Sequence, residues 1–402
     1  MMKVFLFVLL SGSMSPIWAQ SVVPTQQALS AWLQTQGSTT ATGTSTAFNP
    51  AISVNGLFLG FYTSSPFLRP SVFGDAHDHE EEFDHEEELE EEGHEADHEE
   101  EDGHAHAHGL PEHSGLQVQE VEVRFSTIVD AYFKADMTLA IPGTENIELE
   151  EGVLETIFLP NVSLKAGKFY GALGKHNNLH THAFPFVDPP IANERLLGGE
   201  GLNEVGVGAS VLLPTTWYSE FQGQVLNGDH ALFNSARDRD FAYLGRWTNL
   251  WDVNEDATLE LGGSYVFGKN EFTKLSHVWS GDVTFKWRPA RQVRDRGLIL
   301  QAEYLQARVD DGVDVEKVGG LYALVQYQFA RRWWAQARYD VFGIPKLEPT
   351  REYRVSGLLT LAPSEFSAIR LQYNLNREAG QSVHQFALQL NFTMGAHPAH
   401  AY

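Results

Sequence analysis

The stretch QFALQLNFT, residues 385–393, alternates apolar and polar side chains with a period of two. Its apolar face is made by Phe386, Leu388, Leu390 and Phe392, and its polar face by Gln385, Gln389, Asn391 and Thr393. The same alternation runs through AIRLQYNLN (368–376), RWWAQARYDVF (332–342) and QEVEVRF (119–125). Because successive side chains of a strand point to opposite faces of a sheet, this period predicts β-strands with one apolar face.

A soluble β-sandwich and a membrane barrel both contain alternating strands, and two features favour the barrel. The alternating segments are about ten residues long, which is the length that a tilted strand needs to cross an outer membrane. Aromatic residues lie at many strand ends, as in the girdles that mark a membrane interface: Phe61, Tyr62, Trp217, Trp247, Trp251, Trp279, Trp287, Trp333 and Phe342. We therefore predict an all-β fold, a transmembrane antiparallel β-barrel.

Turn residues divide the chain into about sixteen such segments, an even number that suits a closed bacterial barrel. We place the strand starts near Ile52, Gln117, Ile128, Glu148, Val162, Asn203, Thr216, Asp240, Asp256, His277, Gly297, Lys317, Arg332, Arg351, Phe366 and His384. Long connections fall at residues 63–116, 174–202, 228–239 and 268–276. Short ones alternate with them, apart from the longer 288–297, at 126–128, 159–161, 213–216, 254–257, 329–331 and 362–365. Long external loops and short periplasmic turns are typical of outer-membrane barrels.

The chain divides into three parts by composition. Residues 1–19 are typical of a signal peptide, with Lys3 before a short apolar run and small residues up to Ala19. Residues 20–50 are rich in Ser, Thr, Gly and Gln, which predicts a flexible periplasmic leader. The barrel takes residues 51–402. The absence of cysteine excludes disulfides, thiolate metal sites and a cysteine nucleophile.

The first long connection carries a run of carboxylates and imidazoles. From Asp75 to His113 there are 19 Asp and Glu, nine His and no Lys or Arg, so the rest of the chain carries only −6 of the net charge of −25. Such a segment cannot bury a core and predicts a long disordered external loop. Neutral imidazoles bind zinc, copper and nickel. We predict weak metal sites made by His77, His79, His85, His94, His98, His104, His106, His108 and His113; a solvated acidic loop without metal is the alternative.

The third external connection reads GKHNNLHTHAFPFVDPPIANERLLGGEGLNE, residues 174–204. His176, His180 and His182 lie within seven residues, and Asp188 follows six residues later. The third loop of general porins narrows the pore, so ligands here would lie at a constriction on the transport path. Two interpretations remain open: these side chains bind metal, or the histidines hold the loop to the barrel wall by hydrogen bonds.

Charged residues of both signs alternate with the apolar face along the strands. We predict that they face inward beside Glu120 and Glu122 and line the pore: Arg124, Lys134, Asp136, Arg246, Glu303, Arg338, Asp340, Arg354 and Arg370. A polar interior of mixed charge is typical of a water-filled channel. With an acidic segment at its mouth, the electric field favours cations.

Enzyme motifs find little support. GKFYGALGK (167–175) has the wrong glycine spacing for a phosphate loop, and His176 follows Lys175 where Ser or Thr is needed. No Gly-x-Ser-x-Gly occurs. We therefore predict that the protein is not an enzyme, with an outer-membrane protease or phospholipase as the catalytic alternative.

The stretches LKAGKFYGALGKHNNLHTHAFPFVDPP (164–190), LLGGEGLNEVGVGASVLLP (196–214) and GAHPAHAY (395–402) resemble a group of Gram-negative outer-membrane proteins with a His-rich acidic segment. Members are often labelled zinc-regulated outer-membrane receptors, and their barrel is similar to the sixteen-stranded, trimeric, phosphate-selective porin type. The resemblance runs from about Asn49 onward and marks a shared motif of His180, His182, Phe186, Asp188, Gly199, Glu200, Gly201 and Leu202.

Residues and resemblance together predict a porin-like channel in the outer membrane of a Gram-negative bacterium. Its cargo would be a divalent metal, zinc before copper or nickel, held weakly and not as a tightly bound cofactor. Outer-membrane lipid, metal ions and two further copies of the chain are the expected partners, and nucleic acid is not. Two alternatives remain: a general porin with a cation-attracting acidic rim, and a surface protein that buffers metal without conducting it.

Overall fold

A computed structural model describes residues 50–66, 71–73, 109–144, 146–237, 239–290, 292, 295–345, 351–378 and 380–395. The predicted signal peptide, nearly all of the predicted leader and most of the acidic first loop therefore lie outside the described residues. The boundaries predicted for these segments stay predictions.

In the described part of the chain, sixteen antiparallel strands close into one barrel. Each strand pairs with the next in sequence and β1 pairs with β16, so closure leaves no unpaired edge. The strands are β1 (Ala51–Thr63), β2 (Gly115–Ile128), β3 (Phe133–Pro142), β4 (Glu148–Thr156), β5 (Val162–Tyr170), β6 (Asn203–Leu212), β7 (Tyr218–Leu226), β8 (Ala242–Asn254), β9 (Ala257–Lys269), β10 (Leu275–Trp287), β11 (Gly297–Asp310), β12 (Val315–Ala330), β13 (Trp333–Ile344), β14 (Glu352–Ser364), β15 (Ser367–Glu378) and β16 (Gln381–Gly395). The predicted fold class is confirmed.

The two faces of the barrel wall are opposite in character. Leu371 on β15 and Leu388 on β16 are 52% and 46% exposed, whereas the alternating Gln372 and Gln389 are buried. Apolar side chains outside and polar side chains inside are what a barrel surrounded by lipid requires. Among the described residues, no helix is both long and apolar enough to span a membrane.

The predicted strand starts lie within three residues of the observed ones, with one exception. The third strand begins at Phe133 and not near Ile128, and the predicted turn at residues 126–128 is wrong because these residues still belong to β2. Asp130 makes the turn: its carboxylate accepts the backbone N–H of Tyr132 at 2.7 Å and of Phe133 at 2.9 Å. An Asp that bonds its own backbone two or three residues later is a turn former.

The connection between β5 and β6, which we call the third loop (residues 171–202), folds into the barrel. It contains two 3-10 turns, His176–Asn178 and Thr181–Ala183, and one helix, α1 (Ile191–Leu197). Ile191 and Leu196 of α1 are buried in an apolar cluster with inward side chains of β5 and of β7 to β13. The third loop is therefore part of the interior of the barrel.

Both described ends of the first loop rest on the third loop. Val72 N donates to Arg195 O at 2.9 Å, and Val72 and Phe73 pack against the apolar cluster around α1. At the other end, Leu110 packs against a small apolar cluster that contains Val187 of the third loop together with Leu59, Phe61 and Ala387 of the wall. The acidic segment between these ends therefore begins and finishes next to the third loop.

Candidate cation site

The third loop enters the lumen over a buried carboxylate of the wall. Glu303 on β11 accepts the backbone N–H of Lys175 at 3.2 Å and of His176 at 3.1 Å, and the hydroxyl of Tyr322 at 2.9 Å. Gly174 has a φ of 69°, and a Cβ there would overlap the Glu303 carboxylate. Only glycine fits this position, so Gly174 and Glu303 together fix the first turn of the loop.

Asp188 fastens the far part of the loop to β13, β14 and β15. Its carboxylate accepts Arg354 Nη1 at 2.6 Å and Arg338 Nη2 at 3.1 Å. It also accepts the side-chain amides of Gln372 at 2.6 Å and Asn374 at 3.0 Å. The prediction of Asp188 as a metal ligand is therefore corrected, because two guanidinium groups already neutralise it and hold it to the wall.

A bulge in β4 turns two successive carboxylates toward the lumen. Thr138 of β3 pairs with Glu151, and the next residue, Leu139, pairs with Leu149, so Glu150 is an extra residue on β4. A bulge leaves one residue out of the ladder and re-aims its side chain. Glu150 and Glu151 consequently both reach the third loop, which strict alternation would forbid.

The upper ends of β4 and β5 separate beyond the bulge. The two strands pair only over residues 152–155 and 165–168. Gly167 permits their close approach, since it has a φ of 137° and a Cβ there would overlap the Gly152 carbonyl. Above it, Tyr170 Oη donates to Glu150 at 2.6 Å and Tyr170 N donates to Glu151 at 3.3 Å. These bonds fix both carboxylates in place.

His180 lies among three carboxylates of the wall. Its Nδ1 is 3.0 Å from Glu150 Oε2 and 3.5 Å from Glu122 Oε2, and its Nε2 is 2.9 Å from Glu151 Oε2. His182 Nδ1 lies 2.7 Å from the same Glu122 oxygen. One ligand atom each from Glu122, Glu150 and His180 lies within 4.8 Å of the other two. We call these five residues the His180 cluster.

Negative charge exceeds positive charge around this cluster. A fourth carboxylate, Glu120, accepts the Thr181 hydroxyl at 2.9 Å. Burial by itself lowers the pKa of His180, but hydrogen bonds to Glu150 and Glu151 and the charge of Glu122 outweigh burial and raise that pKa well above its ordinary value. At neutral pH the ring therefore carries a proton, which partly balances the carboxylates.

His176 does not join the His180 cluster, contrary to the sequence-based grouping. Its ring lies 4.5 Å from the Phe184 ring and 6.4 Å from the Tyr322 ring, measured between centroids. Burial, followed by the charge of Arg338, lowers the pKa of His176 to about 3. His176 is therefore a neutral packing residue. Among the described residues its Nε2 has no hydrogen-bond partner, so it contacts its surroundings through aromatic rings and not through the hydrogen bonds of the structural interpretation.

The predicted pore-lining residues occupy two different surroundings. In the half of the lumen near the short turns, Arg124 pairs with Asp136 at 2.7 Å and Lys134 pairs with Glu155 at 2.9 Å, and all four side chains are partly exposed. The other predicted members face inward but are buried: Arg246, Glu303, Arg338, Asp340, Arg354 and Arg370. Of these, Arg246 pairs with Asp282 at 2.9 Å. Arg370 donates to Phe184 O of the third loop. Like Glu303, Arg338 and Arg354, it therefore supports this loop and does not line open water.

The sequence analysis missed two carboxylates of the His180 cluster, Glu150 and Glu151. Most of the ligands that it predicted in the first loop lie outside the described residues. Glu150 and Glu151 carried a signal in the pattern Glu-Glu-Gly, since a glycine inside a strand often marks a bulge. The ligands predicted in the first loop outside the described residues are His77, His79, His85, His94, His98, His104, His106 and His108. His113 is described: its side chain is largely exposed and its Nε2 lies 3.9 Å from Glu112.

Solved outer-membrane proteins share this barrel at low sequence identity. An anion-selective porin from Comamonas acidovorans is 9% identical, with 86% of this chain and 100% of the porin covered and a TM-score of 0.54. The channel DcaP of Acinetobacter baumannii is 11% identical, with 86% and 96% covered and a TM-score of 0.53. In-vitro folded OmpT of Vibrio cholerae, in a trimer form, is 8% identical, with 86% and 99% covered and a TM-score of 0.50.

These likenesses concern the fold, and with the apolar outer face of the wall they confirm an outer-membrane barrel of a Gram-negative bacterium. No family model matches the sequence. A protein of Aquifex aeolicus (strain VF5), described as uncharacterised, is 30% identical over 347 residues, which are 74% of this chain and 72% of the relative. The chain belongs to the same family as this Aquifex aeolicus protein.

Proposed function

We propose that the protein is an outer-membrane channel that admits divalent metal cations, with zinc as the favoured ion. The observation that carries the proposal is the His180 cluster. Two ligands of one tetrahedral zinc, bound at about 2.0–2.2 Å, lie about 3.4 Å apart. His180 Nδ1 lies 3.0 Å from Glu150 and 3.5 Å from Glu122, so these two pairs of donor atoms are close to that spacing.

The donor set also fits an ion in transit. Imidazole nitrogen with carboxylate oxygen suits zinc, and copper and nickel are accepted by the same donors. The side chains of His180 and Glu151 remain 15% and 24% exposed, so the cluster is not sealed from the lumen. A channel needs sites that an ion can enter favourably and that bind it weakly enough for it to leave. The imidazoles of His180 and His182, which lie beside carboxylates of the barrel wall, provide such exchangeable ligands.

Zinc would enter this cluster in exchange for a proton. An imidazole must lose its proton before it ligates, so metal affinity falls with pH. The excess carboxylates around His180 attract the cation and remain as oxygen ligands after the proton leaves. The chain's own residues thus bind the ion and receive and release the proton.

The acidic first loop would collect ions for this cluster. Its nine histidines and 19 carboxylates form a segment of interchangeable weak ligands. Its described ends at Val72 and Leu110 rest on the third loop, which supports delivery of ions close to the cluster. We further propose a homotrimer, the form named for OmpT of Vibrio cholerae, surrounded by outer-membrane lipid. Catalysis forms no part of the proposed function.

The test is the reversal potential in planar bilayers under a zinc chloride gradient. We would compare the natural chain with the double variant H180Q/E150Q and with E155Q as a matched control. Glu155 is also a lumen carboxylate on β4, but it pairs with Lys134 at 2.9 Å, away from the cluster. We expect a zinc-selective potential in the natural chain and in E155Q, and a much smaller one in H180Q/E150Q with its potassium chloride conductance retained.

Two outcomes would contradict the proposal. Equal, modest cation selectivity in all three forms would leave a general porin with a cation-attracting rim. Zinc binding without single-channel steps would indicate a surface protein that buffers metal. Deletion of residues 75–113 tests the collector separately, because it should reduce the zinc preference of a barrel whose His180 cluster is intact.

A further inference from the structure

Three basic residues lie in one row across the outer face of the barrel. His277 of β10 pairs directly with Arg308 of β11, and Arg308 pairs directly with Lys317 of β12. Directly opposed residues share a face, with Cβ atoms about 4.5–5.5 Å apart. Each of the three is the third residue from the external-loop end of its strand. We call them the basic row.

The basic row faces away from the lumen. The residues that alternate with its members, Val278, Ala307 and Val318, belong to the buried apolar cluster inside the barrel. Arg308 and Lys317 are exposed. The row therefore lies on the surface that meets lipid.

The two positive groups of the row, Arg308 and Lys317, are without a protein partner. Within the described ranges, neither Arg308 nor Lys317 makes a hydrogen bond or an ion pair. His277 is oriented by Tyr265, whose hydroxyl lies 2.7 Å from its Nδ1. With that hydroxyl donating, Nε2 carries the ring proton and is a donor. One pair above the row, the Asp310 carboxylate accepts the N–H of Gly312 at 2.9 Å.

Aromatic rings mark the level of the basic row in the membrane. Tyr265 of β9 pairs directly with Trp279 of β10. On the outer face, Trp279 is the next residue after His277 in the direction away from the external loops. The Tyr265 ring lies 6.0 Å from the His277 ring, 6.5 Å from the Trp279 ring and 5.6 Å from the Phe267 ring. Aromatic girdles lie at the boundary between hydrocarbon and headgroups. The basic row, on the loop side of this girdle, is at the level of the headgroups.

We infer that the basic row binds the phosphate groups of an anionic glycolipid in the outer leaflet. Arg presents planar donors that match phosphate oxygens, and Lys adds a point charge. Clusters of basic residues at a membrane surface recognise anionic headgroups. The row faces lipid at headgroup depth, so a lipid headgroup and not a dissolved anion is the occupant. This inference does not depend on metal transport.

The test measures lipid retention by native mass spectrometry of the full chain in neutral detergent. The probes are lipid A with both phosphates, the same lipid without phosphates, and inorganic phosphate. The variant is R308Q/K317Q, and the matched control is R377Q. Arg377 is another exposed basic residue near the loop end of β15, but it pairs with Tyr353 and Ser382 instead of with basic residues.

Each basic residue at an anionic lipid surface contributes about a fivefold factor in binding. We therefore expect the double variant to bind phosphorylated lipid A about 25-fold more weakly and R377Q to bind it as the natural chain does. The lipid without phosphates should not distinguish the three forms. Equal retention of phosphorylated lipid A by the natural chain and R308Q/K317Q would overturn the inference. So would displacement of the lipid by an equal concentration of inorganic phosphate, because the ligand would then be a soluble anion.

Discussion

Arg354 Nη1 donates to Asp188 Oδ2 across 2.6 Å, and this buried ion pair joins the third loop to the barrel wall. Arg338 donates to the other carboxylate oxygen at 3.1 Å. Both arginines also donate to the carbonyl of Pro189, so the backbone next to Asp188 is held by the same groups. The loop is thus attached by a carboxylate placed between two fixed cations.

Replacing Asp188 with alanine should release the third loop. Two buried guanidinium groups would lose the carboxylate that they share, although Arg338 keeps Asp340 and Arg354 keeps Glu194. Breaking a buried ion pair costs about 3–5 kcal/mol. We expect the loop of D188A to be cleaved by protease while the barrel stays folded. The control is D252N, which removes an exposed carboxylate near the short-turn end of β8. Equal cleavage of D188A and the natural chain would show that the ion pair does not hold the loop.

Acid should loosen the docking of the third loop through His176. Burial first, and then Arg338, lowers the pKa of His176 to about 3, below its ordinary value near 6.5. Since the undocked ring binds a proton more readily, stability is full above pH 6.5 and falls by about 1.4 kcal/mol per pH unit toward pH 3. The measurement is amide hydrogen exchange of the loop, compared between the natural chain and H176F. The exchange rate of the natural chain relative to that of H176F should rise as pH falls. A constant ratio would disprove this role of His176.

Deleting Glu150 should remove the bulge of β4 and weaken zinc binding. β4 would then pair with β3 in uninterrupted register, and only Glu151 of the two successive carboxylates would reach His180. We expect zinc affinity, measured by calorimetry on a barrel without residues 75–113, to fall about tenfold, which corresponds to about 1.4 kcal/mol for one lost ligand. E155Q should bind zinc as the parent barrel does. Unchanged affinity after the deletion would exclude Glu150 as a ligand.

Replacing the nine histidines of residues 77–113 with glutamine should abolish most zinc binding by the first loop and keep its negative charge. An imidazole must lose its proton before it binds a metal ion, so binding by the natural loop should also disappear between pH 7 and pH 5. Equilibrium dialysis with zinc at both pH values measures this loss. If the glutamine form bound as much zinc as the natural chain at pH 7, carboxylates and not imidazoles would be the ligands.

The fold could be predicted closely because barrel strands carry their own periodicity. Phe386 to Phe392 shows which face meets lipid before any pairing is known. The third strand was misplaced because residues 126–128 resemble a turn, while the turn itself depends on the carboxylate of Asp130. Boundaries that depend on one side-chain hydrogen bond are weakly encoded in an apolar pattern.

The candidate site was predicted only in part. The sequence grouped His176, His180, His182 and Asp188 and placed Glu122 on an inward face. In the structure His180 and His182 lie beside carboxylates, whereas Asp188 lies between guanidinium groups and His176 lies against aromatic rings. Two of the four loop residues meet carboxylates, and the other two meet guanidinium or aromatic groups. This division depends on the path of the loop across the lumen. That path is set by distant strands, through Glu303 and Arg354, and local spacing carries no information about it.

The bulges of β2 and β4 have a consequence for how such barrels diversify. Inserting one residue into a strand would ordinarily exchange inside and outside for everything beyond it. At Glu150, and likewise at Gln119 of β2, the ladder absorbs the added residue, and the pattern continues in register on both sides. A lineage can thus acquire a new inward-pointing ligand by gaining a single codon, while the belt of side chains that faces the membrane keeps its composition.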